Sequence, residues 1–353
     1  MSNPTRTILV VLSIFIGVFS VGLITGTQSI VVREMNAVYQ GANPANATIS
    51  VSTAGGFRDT LVETIEDMDE VGSAEGRRRF SARVRAPLGD WQNITFVAID
   101  DFDDVAIDRF SPLAGAWPPR DKQVLIERSG LTELDVQLGD VMLVEHIDGS
   151  RQRRIEIVGS VIAPTEPPAQ FGGILGYVDE ETMDWLSGSN DGYDQLLITS
   201  AERQDDIEHN REVAQEVYEK LQKSDLEPSF PNVSNGEHPL NTFIGAMVAI
   251  LGGMAVMSVF LSGFLVTNTI AALLAQQTRQ IGIMKAVGAR TQQIIGLYMV
   301  LVLSFGVITF VLAMPLGQLA TSFFADLIAG FFNLTLTSTR VLSRCFWCKP
   351  LSA

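Results

Sequence analysis

Residues that could bind a partner are concentrated in one short loop, 276–290, which carries three basic side chains and no acidic one. The basic residues are Arg279, Lys285 and Arg290. If the segment 276–293 forms a helix, three apolar side chains spaced three residues apart share one side of it: Ile281, Met284 and Val287. Such a helix could lie on anionic lipid headgroups, act only as a charged loop that sets topology, or dock its apolar side in a groove of a partner protein.

Other chemically active residue types occur without the spacing of a site. The three histidines are isolated, and no phosphate-binding P-loop motif is present. Cys345 and Cys348 have CxxC spacing but lack a second pair of ligands. The acidic runs at 100–104 and 179–181 lack the alternation of a calcium loop. The sequence therefore predicts no catalytic residue, no metal and no cofactor, and we do not expect an enzyme.

Charge is segregated along the chain. Of its 40 acidic residues, 39 lie between Glu34 and Glu237, and the same region, counted from Arg33, holds 18 of the 25 basic residues. That region has a net charge of −21, whereas the remainder has a net charge of +6. The formal net charge of −15 argues against nucleic acid as a partner, because phosphate binding needs a basic surface. An acidic soluble domain is therefore set between uncharged segments.

Three uncharged stretches exceed the ~20 apolar residues that cross a bilayer as a helix. The first, 7–32, is longer than the apolar part of a signal peptide. The second is long enough to project from the membrane as a stalk, and Pro315 predicts a kink or break in the third. Two small-xxx-small pairs suit close helix packing, namely Gly22 with Gly26 and Ala249 with Gly253.

Topology follows from the positions of positive charge. Short loops rich in Lys and Arg stay in the cytoplasm, so we expect the loop 276–290 there, and Arg6 predicts a cytoplasmic amino terminus. The acidic domain then lies outside, and the chain is a multi-pass protein of the plasma or inner membrane. The predicted segments are transmembrane helix 7–32, extracytoplasmic domain 33–239, transmembrane helix with stalk 240–275, cytoplasmic helix 276–293, transmembrane helix 294–325 and atypical tail 326–353.

The acidic domain alternates strand and helix patterns, which predicts an α+β fold. Asp148-Gly149 is a hairpin signal between two of the predicted strands. The strands are expected at 93–99, 123–127, 141–147, 154–162, 176–178 and 195–199. Helices are expected at 56–68 and 205–224. The fold class is thus an α-helical membrane protein with a large extracytoplasmic α+β domain and three transmembrane helices.

The loop sequence resembles the coupling-helix motif of the MacB/FtsX family of ABC transporter permeases, which reads roughly R-E-I-G-x-x-[KR]-A-[IVL]-G-A. Gln280 stands where the family usually has Glu. The matching residues are Arg279, Ile281, Gly282, Lys285, Ala286, Val287, Gly288 and Ala289. The segment 124–140 is similar to a passage of the family's outer domain. The resemblance implies a separate cytoplasmic ABC ATPase, contact with membrane lipid, and pairing as a homodimer or with a second permease half.

The resemblance also assigns roles to residues of the loop. The residues expected to dock on the ATPase are Arg279, Ile281, Gly282, Met284, Lys285, Val287 and Gly288. ATP-driven movement would pass through this coupling helix to the outer domain, which handles a substrate. The family has a fourth membrane helix, for which the residues after Asp326 are too few. We therefore expect a chain that is truncated or that ends in unrelated sequence.

Two other functions use the same layout. An FtsX-like regulator would activate cell-wall enzymes outside the membrane through the same transmission. A membrane-anchored sensor would bind a ligand outside and signal inward, although only about six residues precede the first helix. An ATPase gene beside that of the chain favours the permease class, and a gene for a wall hydrolase favours the regulator.

Overall fold

The computed structural model describes residues 4–331 apart from 54, 88, 147–148, 150, 190–191, 235 and 289. The chain divides into two units. Residues 4–34 and 241–331 form a helical unit, and residues 35–240 form an α+β unit. The division falls inside the first helix, α1 (Pro4–Gly41).

Helix α1 is longer than the uncharged stretch that predicted it. It continues past Val32 to Gly41, and the added turns bring Met35 and Tyr39 into the α+β unit, where both side chains are buried. Because these residues lie four apart, they share one face of the helix. Packing of that face stabilises the last turns as helix although Arg33 and Glu34 interrupt the apolar run.

The strands of the α+β unit form one sheet that closes partly on itself. Their order among the described residues is β10-β1-β9-β2-β3-β8-β5-β7-β4, and β6 pairs with both β2 and β7. The pairs β2-β3-β8-β5-β7-β6 therefore close into a six-stranded barrel. The strands are β1 (Ala47–Ser50), β2 (Val71–Arg85), β3 (Trp91–Ala98), β4 (Ser111–Gly115), β5 (Gln123–Glu127), β6 (Val141–His146), β7 (Gln152–Ile162), β8 (Ile174–Val178), β9 (Gln195–Ser200) and β10 (Asn232–Val233).

Alternate residues of the barrel strands fill its interior. Phe96 on β3 is fully buried, and its register partner on the parallel strand β8 is Gly176. A Cβ atom at Gly176 would lie 2.9 Å from Cγ2 of Val124 and 3.2 Å from the Phe96 ring. The large ring thus fits because the opposite strand has no side chain at this position. Other members of this core include Val84, Ile94, Ile126, Met142, Ile155 and Ile157.

A second core lies beside the barrel, where helices cover the open part of the sheet. Ile49 of β1 and Leu196 of β9 pack against Val213 and Val217. Strand β2 belongs to both cores, because residues 71–77 pair with β9 and residues 78–85 pair with β3. The helices of this unit are α2 (Asp59–Glu66), α3 (Arg128–Leu134), α4 (Ala169–Gly172), α5 (Glu180–Ser187) and α6 (Ile207–Lys223).

Most predicted strands are present, although others were missed. β5 has its predicted bounds, and the antiparallel pairing of β6 with β7 confirms the predicted hairpin, whose Asp148 lies outside the described residues. No strand was expected at β1, β2, β4 or β10. The helix predicted at 56–68 is shorter because Phe57 instead pairs with Tyr193 in an isolated bridge.

Three further helices complete the helical unit: α7 (Asn241–Gln276), α8 (Thr278–Ala286) and α9 (Thr291–Phe331). By length and composition three helical segments of the described chain can cross a membrane, at 11–41, 241–276 and 303–325, as predicted. Pro315 lies inside α9 without interrupting it, so of the predicted kink or break the break is absent and the kink stays a prediction. Proline removes one backbone hydrogen bond, which a long apolar helix tolerates.

Small residues bring α1 against both long helices of the helical unit. The Ser262 hydroxyl of α7 donates to the backbone carbonyl of Ser13. A Cβ atom on Gly17 would lie 3.6 Å from Val259, and one on Gly26 would lie 3.0 Å from the Thr321 hydroxyl of α9. Close approach at these points suits van der Waals packing between helices.

A buried histidine lies near the carboxyl end of the α+β unit. The ring of His238 meets that of Tyr39 edge-on at 5.2 Å, and its Nδ1 accepts a hydrogen bond of 3.1 Å from the backbone of Leu240. The ring also hydrogen-bonds to the backbone of Pro164. Burial lowers the pKa of His238 to about 4, so the ring is neutral near pH 7.

Replacing Phe96 by Ala tests the barrel core. We expect Phe96→Ala to lower the free energy of unfolding by about 3–5 kcal/mol, because the cavity left behind cannot collapse fully. Phe230→Ala is the matched control, since Phe230 is 84% exposed and contacts the ring of Tyr218, and should cost no more than about 1 kcal/mol. Urea unfolding of the full chain in detergent, followed by tryptophan fluorescence, measures both, and equal losses would contradict this core.

Acid should weaken the packing around His238. The folded-state pKa lies below the unfolded value of 6.5, so the stabilisation is complete above pH 6.5 and is lost as the pH falls toward about 4. The loss is up to about 3 kcal/mol. We expect the stability of the wild-type chain relative to His238→Gln to decrease over this interval in urea unfolding. A difference that does not change with pH would contradict the neutral buried ring.

Candidate functional site

Helix α8 is a separate short helix between the two long apolar ones. Gln277, with φ −95° and ψ 8°, ends α7 and precedes α8. The backbone N–H of Gln277 donates to Leu274 at 3.1 Å, and that of Ile281 donates to Gln277 at 2.9 Å. Hydrogen bonding thus continues through the bend, with one residue joining α7 to α8. The helix predicted at 276–293 is therefore shorter, Thr278–Ala286, because its ends belong to α7 and α9.

A glycine ends α8 and lets the chain turn into α9. The N–H of Val287 donates to Ile283 at 3.1 Å, and the N–H of Gly288 donates to Lys285 at 3.1 Å. Gly288 has φ 104°, a region that side-chain-bearing residues rarely adopt, and it follows the helix as a glycine terminator. The side chain of Gln293 then accepts from the backbone N–H of Arg290 at 3.0 Å. This turn separates α8 from α9.

The apolar side chains of α8 and its carboxyl end differ in exposure. Val287, the residue after the helix, is 85% exposed, Met284 is 37% exposed, and Ile281 is half-buried. Ile283, which is not part of the predicted apolar side, is 56% exposed and lies four residues before Val287. The i, i+4 spacing was the signal that could have identified it. Ile283 and Val287 therefore dominate the exposed apolar surface.

Positive charge on and beside α8 is not neutralised locally. Arg279 and Lys285 lie on the helix, and Arg290 lies just before α9. Among the described residues none of the three has an acidic side chain within ion-pair distance. Gly282 is exposed within the helix. We name α8 together with Val287, Gly288 and Arg290 the loop surface.

The predicted packing residues occupy different environments. Gly26 lies against Thr321, whereas a Cβ atom on Gly22 would meet nothing within 4 Å. Gly22 instead lines a groove between α1 and α9 with a volume of about 360 Å³. Ala249 and Gly253 lie on an exposed side of α7. A role for the last three residues in helix packing stays a prediction.

The remaining chemically active residues do not assemble into a metal site. Asp179 caps α5, accepting a hydrogen bond of 2.8 Å from the backbone of Thr182. Within the described part of the chain, no three His, Cys, Asp or Glu side chains are grouped to hold a metal ion. Cys345 and Cys348 lie outside the described residues.

Two solved structures show distant similarity to this chain. One is the extracellular domain of the noncanonic ABC-type transporter YknZ from Gram-positive bacteria, 13% identical, with a TM-score of 0.36 over 54% of this chain and 100% of that chain. The other is the periplasmic region of MacB from Actinobacillus actinomycetemcomitans, 10% identical, with a TM-score of 0.35 over 54% of this chain and 91% of that chain. Similarity at this level does not carry function.

Comparison with protein families gives a match over the helical unit. No curated protein matches the chain. Residues 242–346 match the family described as FtsX-like permease C-terminal. The match begins at the second residue of α7, includes α8 and α9, and continues into the segment predicted to be an atypical tail, 326–353. The chain therefore carries an FtsX-like permease domain over residues 242–346.

Proposed function

We propose that this chain is the permease subunit of an ABC transporter and that its loop surface docks on a separate cytoplasmic ATPase. The observation that carries the proposal is the loop surface itself. It presents two exposed apolar side chains, Ile283 and Val287, beside basic residues that have no acidic partner among the described residues. A loop that only reversed the chain would need no such apolar pair. A groove with apolar walls and an acidic rim on the partner would match it.

The neighbouring helices support a location at the membrane surface. Apolar side chains of α7 and α9 are widely exposed, including Phe260, Leu261 and Leu319 at 70–72%. Lipid would cover such surfaces, which soluble proteins seldom expose over large areas. The charged residues of the loop surface cannot enter the hydrocarbon cheaply, so the loop surface lies at or beyond the headgroups, on the side that positive charge favours.

The connections of α8 suit the transmission of movement. One residue, Gln277, separates α8 from α7, and a short turn separates it from α9. Displacement of α8 by a closing ATPase would therefore move the ends of both long helices. In the proposed mechanism the movement passes along α7, which begins directly after the α+β unit ends at Leu240, and that unit acts on a substrate outside the cytoplasm.

The remaining residues of the loop surface have defined parts in this docking. Met284 and Ile281 extend the apolar contact, and Arg279 and Lys285 pair with acidic groups of the ATPase. Gly282 has no side chain, so the partner can approach the backbone of α8 closely on that side. Gly288 forms the turn that orients the helix. Two copies of the chain, or one copy and a second permease half, would present two loop surfaces to a pair of ATPases.

Copurification with candidate ABC ATPases tests the docking. We expect Ile283→Asp and Val287→Asp each to weaken ATPase binding tenfold or more, because each puts a charge into a desolvated contact. The full chain in detergent is captured, and the bound ATPase is titrated and quantified.

Phe230→Asp is the matched control, since Phe230 is equally exposed but belongs to the α+β unit. It should bind the ATPase as the wild type does. Undiminished ATPase binding by both loop variants would overturn the docking role. Loss of binding to anionic vesicles instead would show that the loop surface is a lipid-binding helix.

A further inference from the structure

A cavity of about 480 Å³ lies inside the α+β unit, where the open part of the sheet meets the barrel. Strands β1, β2, β8 and β9 supply walls, and so do the last turn of α1 and segments within 163–167 and 232–239. Its volume lies within the ~300–1,000 Å³ of typical small-molecule pockets. The cavity is therefore large enough for a ligand of several non-hydrogen atoms.

An open ion pair faces this cavity. Nη2 of Arg79 lies 3.9 Å from Oε1 of Glu166, and each side chain is about 30% exposed. That distance is beyond hydrogen-bond reach. Within the described chain, neither side chain has a hydrogen-bond partner. Both charged groups thus keep their hydrogen-bonding capacity available to a ligand.

Arg77, on the same strand as Arg79, differs from it because its charge is paired within the protein. Nε of Arg77 donates to Oε1 of Glu75 at 2.9 Å, and Nη2 donates to the carbonyl of Ile107. Arg77 is buried, and its charge is matched at hydrogen-bond distance. Among the described residues Arg79 has no such partner at hydrogen-bond distance, so its guanidinium donors remain available.

A second carboxyl group lines the cavity near Glu166. Oδ1 of Asp108 accepts a hydrogen bond of 3.1 Å from the backbone of Ala45. Burial raises the pKa of Asp108, against the opposing effect of Arg77, and the charge of Glu166 raises it further. A ligand cation beside these two carboxyl groups would oppose the effect of burial and the effect of the Glu166 charge, both of which raise the pKa of Asp108.

We propose that this cavity binds a small zwitterion of dipeptide size. Its carboxylate accepts hydrogen bonds from Arg79, and its ammonium group donates to Glu166 and Asp108. The apolar walls at Val97 and Leu197 contact its side chains. A simple anion would leave the carboxyl groups unmatched, and a simple cation would leave Arg79 unmatched. The ligand that satisfies the site carries both charges.

The cavity lies beside the two segments through which the chain enters and leaves the α+β unit. Tyr39 belongs to the last turn of α1, and Ser234 precedes α7, with their hydroxyl oxygens 3.4 Å apart. Both residues line the cavity. A bound zwitterion would therefore contact the incoming and the outgoing chain together. This inference is independent of the ATPase docking, because no ATPase is needed to observe it.

Calorimetric titration of the full chain in detergent tests the site. The probes are three dipeptides, Ala-Ala, Ala-Leu and Gly-Val, each free, N-acetylated, C-amidated and blocked at both ends. We expect at least one free dipeptide to bind, and blocking either end to weaken binding tenfold or more. Failure of every free dipeptide to bind at millimolar concentration would overturn the proposal. So would equal binding of an amidated form, which indicates a cation site.

Variants assign each end of the ligand to its residue. Arg79→Gln should weaken binding of the free dipeptide about tenfold and abolish the preference of the site for the free dipeptide over the amidated form. Glu166→Gln should abolish the preference of the site for the free dipeptide over the acetylated form. Arg85→Gln, on the same strand, and Glu63→Gln, on α2, are exposed controls that should bind as the wild type does. Unchanged preferences in both cavity variants would overturn the assignment, and unchanged tryptophan fluorescence confirms that they are folded.

Discussion

A backbone surrounded by lipid must satisfy its own hydrogen bonds, and this constraint determines where the helical unit can reverse direction. Helices α7 and α9 present exposed apolar side chains along most of their length. In the described part of 241–331, the backbone departs from the helix at Gln277 and around Gly288, beside basic residues. Reversal and charge therefore coincide at α8, and this coincidence supports the proposed position of α8 at the membrane surface.

The α+β unit depends on one long strand, β2, which contributes residues to two hydrophobic cores. Along β2, residues 71–77 pair with β9, and residues 78–85 pair with β3. The change occurs between Arg77 and Arg78. Arg78 is buried, and its Nη1 lies 2.6 Å from Asp184. Arg77 and Arg79, which lie on either side of this change of partner strand, both line the proposed ligand cavity.

Sequence patterns predicted the elements whose signals are local. The absence of charge predicted the three membrane helices, and an apolar run between polar residues predicted β5. Strand β2 was not predictable in this way, because its arginines are matched by groups distant in the chain, such as Asp184 for Arg78. The cavity was not predictable for the same reason, because residues far apart in sequence line it. In contrast, the glycine that ends α8 was visible, and it could have placed Val287 beyond the helix.

Site-specific photocrosslinking tests most directly whether the loop surface contacts an ABC ATPase, as proposed. A photoreactive benzoylphenylalanine replaces Val287, which is 85% exposed, or Phe260, which is 72% exposed on α7. The full chain is coexpressed with a candidate ABC ATPase in membranes and irradiated. We expect a crosslink to the ATPase from position 287 and none from position 260. No crosslink from position 287, or equal crosslinks from both, would contradict it.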